Sequence, residues 1–261
     1  MRRGGAPAIL LLGLFAAILA TCGRNRDEAW RRIQEEGVLR VGLDPTYPPF
    51  ETAEEGPLRG IDVDLARAIG DELGVEVSFV YFGFDGLYDA LATEQVDVLI
   101  SALVVRIEQT EDVAYSDPYF NAGQILVVAQ EEAEVQAMED LEGRTLSVEL
   151  GAQGHVEATE WQRRLRDLTI QPHNSPQEAL DAMAQGEVDA ALVDAISGRL
   201  YLAQHEQVKQ AGEAVTVEPF AIVVRKEDER LLEEIDGALK ALEERGQIEE
   251  IVQRWMARGS P

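Results

Sequence analysis

DALATEQVDVLIS (residues 89–101) and DAMAQGEVDAALV (residues 181–193) are two versions of one phrase set 92 residues apart, with Asp, Ala, Ala, Val and Asp recurring in register. Each starts at a helix end (Ala90 and Leu91; Ala182 and Met183), passes through a polar turn and enters an apolar strand, 96–100 in the first and 188–193 in the second. Apolar and β-branched runs of this length read as strands. Two such units predict two α/β lobes that face each other, and in open α/β sheets ligands sit beyond the carboxyl ends of the strands. Those ends are residues 101–104 in the first unit and Asp194 in the second, with Ala102 aligned to Asp194. The competing reading is chance similarity between two ordinary helix–turn–strand units.

Working outward, 261 residues allow one large domain or two lobes, and 46% hydrophobic residues supply a real core. A formal net charge of −26 excludes nucleic acid as a partner, because phosphate binding needs a basic field. The acids are spread over helix faces, for example at 233–234, 243–244 and 249–250, which reads as a solubilising surface; attraction of cationic ligands is the alternative. Arg2, Arg3, the apolar run 6–20 and the small residues before Cys22 have the layout of a secretory signal, too short for a membrane span. Cys22 follows Leu19-Ala20-Thr21 as the lipidated cysteine follows a bacterial lipobox, with Thr21 standing where Gly, Ala or Ser is usual. The expectation is a signal peptide over residues 1–21 and a lipid anchor on Cys22, against cleavage near Ala20 or an uncleaved anchor. Cys22 is the sole cysteine, so no intrachain disulfide is possible.

Residues 22–36 read as a tether and first helix stopped by Gly37, followed by a strand over 38–43. A helix over 62–73 carries Val63, Ala66, Ile69 and Leu73 on one stripe, with Gly74 as its stop. Strands are expected over 75–81, 124–129, 146–150 and 220–224, and helices over 85–92, 153–168, 176–185, 229–244 and 248–256. This alternation is the βαβ pattern of a mostly parallel sheet. The chain is expected to cross between lobes near 120–123 and 217–219, making 37–121 plus 219–261 one lobe and 122–218 the other.

Six strings then carry a resemblance: LRVGLDPTYPPFE (39–51), GIDVDLARAIGDELG (60–74), FDGLYDAL (84–91), AYSDPYF (114–120), LEGRTLSVELG (141–151) and GEVDAALVD (186–194). In order and at family spacing, they resemble the family 3 extracellular solute-binding proteins, receptors that feed polar amino acids and similar solutes to ABC importers. The resemblance implies an α/β, two-lobed periplasmic-binding-protein-like fold with two crossover strands. It also implies a monomeric receptor, in the periplasm or on the outer face of the cytoplasmic membrane, that closes on an amino acid or amino-acid-like solute and passes it to membrane subunits.

The residues themselves say where that solute sits. Pro48 and Pro49 bar helical continuation and fix Tyr47 and Phe50 at a strand end; Tyr47 is assigned to the cleft and Phe50 to the core. Asp44 is placed to meet a cationic group or to cap a turn. Phe84 stands where the family often has a Trp or another large apolar residue lining the pocket, or else it packs in the core. Asp194 ends an apolar strand, where an unpaired carboxylate is costly, and it is positioned both to receive a ligand ammonium, as the matching family Asp does, and to cap the helix that starts near Ala195. Gly151 and Ala152, with Gln153 at the helix start, offer backbone N–H groups suited to a carboxylate. Ser101, Ala102 and Val104 complete the first-lobe wall. Family members that bind α-amino acids follow this strand with Ser or Thr, then Thr, then an Arg that clamps the ligand carboxylate. Val104, Arg106 and Gln109 occupy those three positions here, so the clamp position is not an Arg. Arg106 is either a relocated clamp or a surface residue; failing it, the ligand lacks an α-carboxylate or Gln109 accepts a neutral polar group.

An enzyme on the same fold, similar to cyclohexadienyl dehydratase, is the alternative, with Asp194, Glu149 or Glu160 as general acid. His155, His173 and His205 are scattered and no metal-ligand spacing occurs, so neither catalysis nor a cofactor is expected.

Overall fold

A computed structural model describes residues 28–54, 56–106 and 111–257, so the expected signal peptide, Cys22 and Gln109 lie outside the described residues. Helix α1 (Glu28–Glu36) ends at Gly37 and delivers the chain into β1 (Val38–Leu43). Strand β1 runs parallel to β4 (Glu76–Tyr81) on one side and to β5 (Val98–Leu99) on the other. Beyond β5 the sheet turns antiparallel through β14 (Val223–Arg225) and β6 (Val113–Tyr115), giving the order β4-β1-β5-β14-β6. A second sheet of the same size has the order β10-β9-β11-β8-β12. Its strands β9 (Thr145–Glu149), β10 (Thr169–His173) and β11 (Ala190–Asp194) are parallel, while β8 (Gln124–Ala129) and β12 (Val208–Ala211) are antiparallel to their neighbours. The two sheets are joined by a short ribbon in which β7 (Phe120–Asn121) pairs antiparallel with β13 (Pro219–Phe220). The chain therefore passes from one sheet to the other twice, once in each direction. Two short strands, β2 (Thr46–Tyr47) and β3 (Glu51–Thr52), form a hairpin beyond the end of β1.

Helix α2 (Ile61–Leu73) buries Val63, Ala66 and Ile69 completely, half-buries Leu73, and stops at Gly74 in the left-handed conformation (φ 69°). It packs with α7 (Glu229–Glu244) and α8 (Gln247–Ala257) in the larger core, around Leu65, Ile69, Ile235, Leu239 and Val252. In the second sheet, α5 (Pro176–Ala184) covers one face with Ala179, Leu180 and Met183, against Val127, Ala191 and Val193. Its N-cap Ser175 accepts the Glu178 N–H at 3.2 Å, and Pro176 occupies the first helical turn.

The sequence repeat is reproduced bond by bond. The Gln95 N–H reaches the Ala90 carbonyl at 3.0 Å, as the Glu187 N–H reaches that of Ala182 at 3.0 Å. The Asp97 N–H donates to the Arg40 carbonyl at 2.9 Å while its carboxylate accepts the Arg40 N–H at 2.9 Å. Asp189 does the same with Thr145, at 3.0 and 2.7 Å. Each aspartate ties the entry to its own strand to the parallel neighbour, Asp97 to Arg40 within β1 and Asp189 to Thr145 at the start of β9, so the two units share one device.

Several elements differ from expectation. The helix expected over 153–168 stops early, as α4 (Gln153–Gln162), and β10 follows it. That strand contains Pro172, which removes a ladder donor, and it sits at the sheet edge where one side needs no partner. The helix expected over 85–92 begins as a 3-10 turn (Phe84–Gly86) before α3 (Leu87–Ala92), and the strand expected over 220–224 divides between β13 and β14.

Candidate ligand-binding cavity

The cavity is built first from the end of β1. Asp44 uses both carboxylate oxygens to shape it, accepting the Thr46 hydroxyl at 2.8 Å and the Phe84 N–H at 2.9 Å, while its own N–H donates to Ser101 Oγ at 3.0 Å. These bonds bring the loop after β4 against the ends of β1 and β5, and they leave Phe84 half exposed (50%) on the cavity wall. The Pro48–Pro49 bond is cis, and Tyr47 stacks on Phe50 with ring centres 5.7 Å apart and planes 11° from parallel. Phe50 is fully buried, edge-on to Phe120 (5.1 Å) and Phe220 (5.2 Å) of the ribbon. Tyr47 remains 46% exposed, so one ring packs the core and the other lines the cavity.

Behind this wall lies a group of buried acids. Glu51 is 1% exposed and accepts the Ser101 hydroxyl at 2.6 Å; Asp62 is fully buried and accepts the Ala102 N–H at 2.6 Å. That bond holds Ala102 at φ 47°, a backbone region L-residues seldom occupy. Burial, and next the neighbouring Asp62 charge, push the Glu51 carboxyl up to about 11; burial raises Asp62 to about 6. Glu51 Oε2 and Asp62 Oδ1 are shut away from the surface and, among the described residues, have no partner outside this pair. The proton kept by Glu51 is what allows the two carboxyls to share a hydrogen bond. Tyr119, buried against the same pair, has its hydroxyl raised well above its ordinary value, by burial first and by the Asp62 and Glu51 charges after it.

The far side comes from the second sheet and the ribbon. Asp194, the last residue of β11, caps α6 (Ala195–Leu202) by accepting the Ser197 N–H on Oδ1 at 2.8 Å, and it lines the cavity with Oδ2 outside that cap bond. The Ala195 N–H reaches the Gly123 carbonyl at 2.9 Å and ties this helix start to the crossover. Ile196, Ala122, Glu218 and Phe220 complete the wall of a cavity of about 510 Å³. Tyr47 spans the two sides electrostatically: burial raises its hydroxyl, and the charges of Asp194, Glu51 and Glu218 raise it further.

Asp44, Tyr47, Phe84, Ser101, Ala102, Val104 and Asp194 are thus gathered around one space. Arg106, Gly151 and Gln153 are not on its wall. Arg106 is exposed and its charge is felt at Tyr88, whose hydroxyl burial raises; the Gly151 N–H is engaged by His155 Nδ1 at 3.1 Å. Glu149 is also off the wall, and so is Glu160, paired with Arg163 at 2.5 Å. The lining residues not singled out from sequence are Thr46, Glu51, Ala122, Ile196, Glu218 and Phe220. For Glu51 a signal existed, because it directly follows Pro-Pro-Phe in the same hairpin.

A cavity at the strand ends of two α/β sheets, which a paired crossover holds together, defines a two-lobed binding protein. The chain belongs to the bacterial extracellular solute-binding proteins, family 3, which match residues 39–258. The L-cystine-binding protein TcyJ of Escherichia coli K12 is 28% identical over 228 residues, covering 86% of this chain and 84% of that protein. The arginine-binding extracellular protein ArtP of Bacillus subtilis 168 is 26% identical over 255 residues, covering 95% and 96%. Among solved structures, an ancestral cationic amino acid solute-binding protein is 31% identical with a TM-score of 0.63, over 87% of this chain and 98% of that one. An ancestral cyclohexadienyl dehydratase is 25% identical with a TM-score of 0.75, over 86% and 95%. TcyJ and ArtP are named for binding rather than catalysis, and this chain is likewise an extracytoplasmic solute-binding protein. Among the described residues no helix is long and apolar enough to cross a membrane, and no cluster of His, Cys, Asp and Glu is arranged to hold a metal ion.

Proposed function

We propose that this protein captures a small amino-acid-like solute in the cavity and delivers it to the membrane subunits of an ABC importer. The division into 37–121 plus 219–261 and 122–218 gives the two moving bodies, and the ribbon of β7 and β13 is the hinge. The exported chain is a monomer held at the membrane by lipid on Cys22. One observation carries the binding role: Asp194 lines a cavity of about 510 Å³ together with Asp44, Tyr47, Phe84 and Ala102 from the other side, and only its Oδ1 is engaged in the helix cap. A ligand held between them stabilises the closed arrangement because it touches both sides.

The test is calorimetry on Asp194→Ser. Serine keeps the helix cap, so the midpoint of thermal unfolding stays near wild type. Ligand affinity falls by about 3 kcal/mol, because a cationic group is left unpaired in a closed site. Unchanged affinity would reduce Asp194 to a cap and remove the second sheet from the binding role.

A further inference from the structure

We infer that the cavity is built for an organic cation, an amine or guanidinium compound, that carries no carboxylate. This rests on the receptor reading above and narrows its ligand class. Every ionisable side chain on the described wall apart from Tyr47 is an acid: Asp44, Glu51, Asp194 and Glu218. No Lys or Arg of the described residues lines the cavity. A zwitterionic amino acid would have to place its carboxylate among these acids without a cationic partner, and desolvating an unpaired charge is costly.

The acceptors that remain open are the second part of the argument. Asp44 spends both oxygens on Thr46 and Phe84, which makes it a framework residue. Asp194 has Oδ2 unspent, and the Glu218 carboxylate makes no hydrogen bond or ion pair with the described residues. Glu51, 1% exposed, is turned inward to Ser101 and Asp62 and is, like Asp44, a framework residue. Asp194 comes from the end of β11 and Glu218 from the foot of the hinge ribbon, so the two open acceptors reach the space from different elements. Tyr47 and Phe84, both about half exposed, add two aromatic faces, and ring faces attract ammonium and guanidinium groups. Negative acceptors, aromatic faces and the lack of a basic clamp among the described residues all select the same chemistry. They also select against the carboxylate, which is how a site discriminates between near-identical solutes.

Matched pairs that differ by one carboxylate test this directly: agmatine against L-arginine, cadaverine against L-lysine and putrescine against L-ornithine, by calorimetry on the purified protein. In at least one pair the decarboxylated member is expected to bind tenfold or more tighter than its amino acid. Glu218→Gln should weaken that binding about tenfold with an unchanged unfolding midpoint, since the side chain has no structural partner to lose. Arg106→Ala should leave it unchanged. Tighter binding of the amino acid in the pairs that bind overturns the inference, and its loss in Arg106→Ala would then identify the relocated clamp. Binding of a neutral or acidic solute, with none of the six cations bound, also overturns it while leaving the receptor reading intact. No binding by any compound in a wider solute panel would count against the receptor reading itself.

Discussion

At neutral pH an unfolded glutamate is ionised, whereas Glu51 keeps its proton because burial and the Asp62 charge push its carboxyl up to about 11. The sign of the consequence follows from proton counting. Between the ordinary glutamate range and about 11, the native state binds one proton more than the unfolded state, so stability falls as pH rises. The contribution is complete only below the unfolded value and is lost progressively above it. Each pH unit costs at most about 1.4 kcal/mol from this group. Asp62, raised to about 6, adds a smaller cost of the same sign between the ordinary aspartate range and that value. Glutamine reproduces the protonated acid, accepting from Ser101 on its oxygen and donating to Asp62 from its amide. Glu51→Gln is therefore expected to raise the unfolding midpoint at pH 8 and to leave it nearly unchanged at pH 5. Measuring the midpoint against pH for both proteins checks this, and parallel curves would mean that Glu51 is ionised in the fold.

At the scale of elements, the two repeat units use one device in two environments. Asp97 is completely buried and holds Arg40 at 2.6 Å and Arg32 at 2.5 Å, whereas the Asp189 side chain is 41% exposed with Arg144 at 3.8 Å. Removing Asp97 takes the shared partner from two arginines that are only 26% and 30% exposed, a loss at the low end of the roughly 3–5 kcal/mol of a broken buried pair, while an exposed pair is worth at most about 1 kcal/mol. Asp97→Ala should thus be the more damaging by about 2 kcal/mol or more in denaturant unfolding, although the backbone bond lost is the same in each. Equal effects would show that the backbone lock, not the ion pairing, carries both units. These units were legible because the helix end, polar turn and strand each leave a local pattern. Strand β10 was not, since Pro172 masks a strand whose open edge tolerates it. The cavity divides the same way. Asp194 and Tyr47 could be read from their positions at strand ends, but Glu51 and Glu218 reach the wall only through the pairing of β2 with β3 and of β7 with β13, long-range contacts that no local pattern encodes.

For the whole molecule, the question is how one small ligand moves two sheets. Tyr47 belongs to the first-sheet hairpin and Asp194 to the end of β11, and the ribbon between them is only two residues wide on each strand. Gly123 sits where this ribbon enters the second sheet, and a Cβ there would lie 2.0 Å from the Thr216 carbonyl oxygen, so the crossover strands run in close backbone contact. On the receptor reading proposed above, this narrow link is the hinge about which one body rotates against the other. Closure is then driven only by contacts made on both sides at once, because a ligand with equal affinity for the open and closed forms shifts nothing. Two residues that act through the same closed state are energetically coupled even when they do not touch. In a double-mutant cycle, Tyr47→Ala and Asp194→Ser should each weaken binding, and together they should cost less than the sum of the two by about 1 kcal/mol or more. Small-angle scattering on the same proteins supplies the structural half of the test. Saturating ligand should reduce the radius of gyration of the wild type and reduce it less in either variant at equal occupancy. Strict additivity with full compaction in both variants would mean that the ligand is held by one lobe and that the sheets move independently of it.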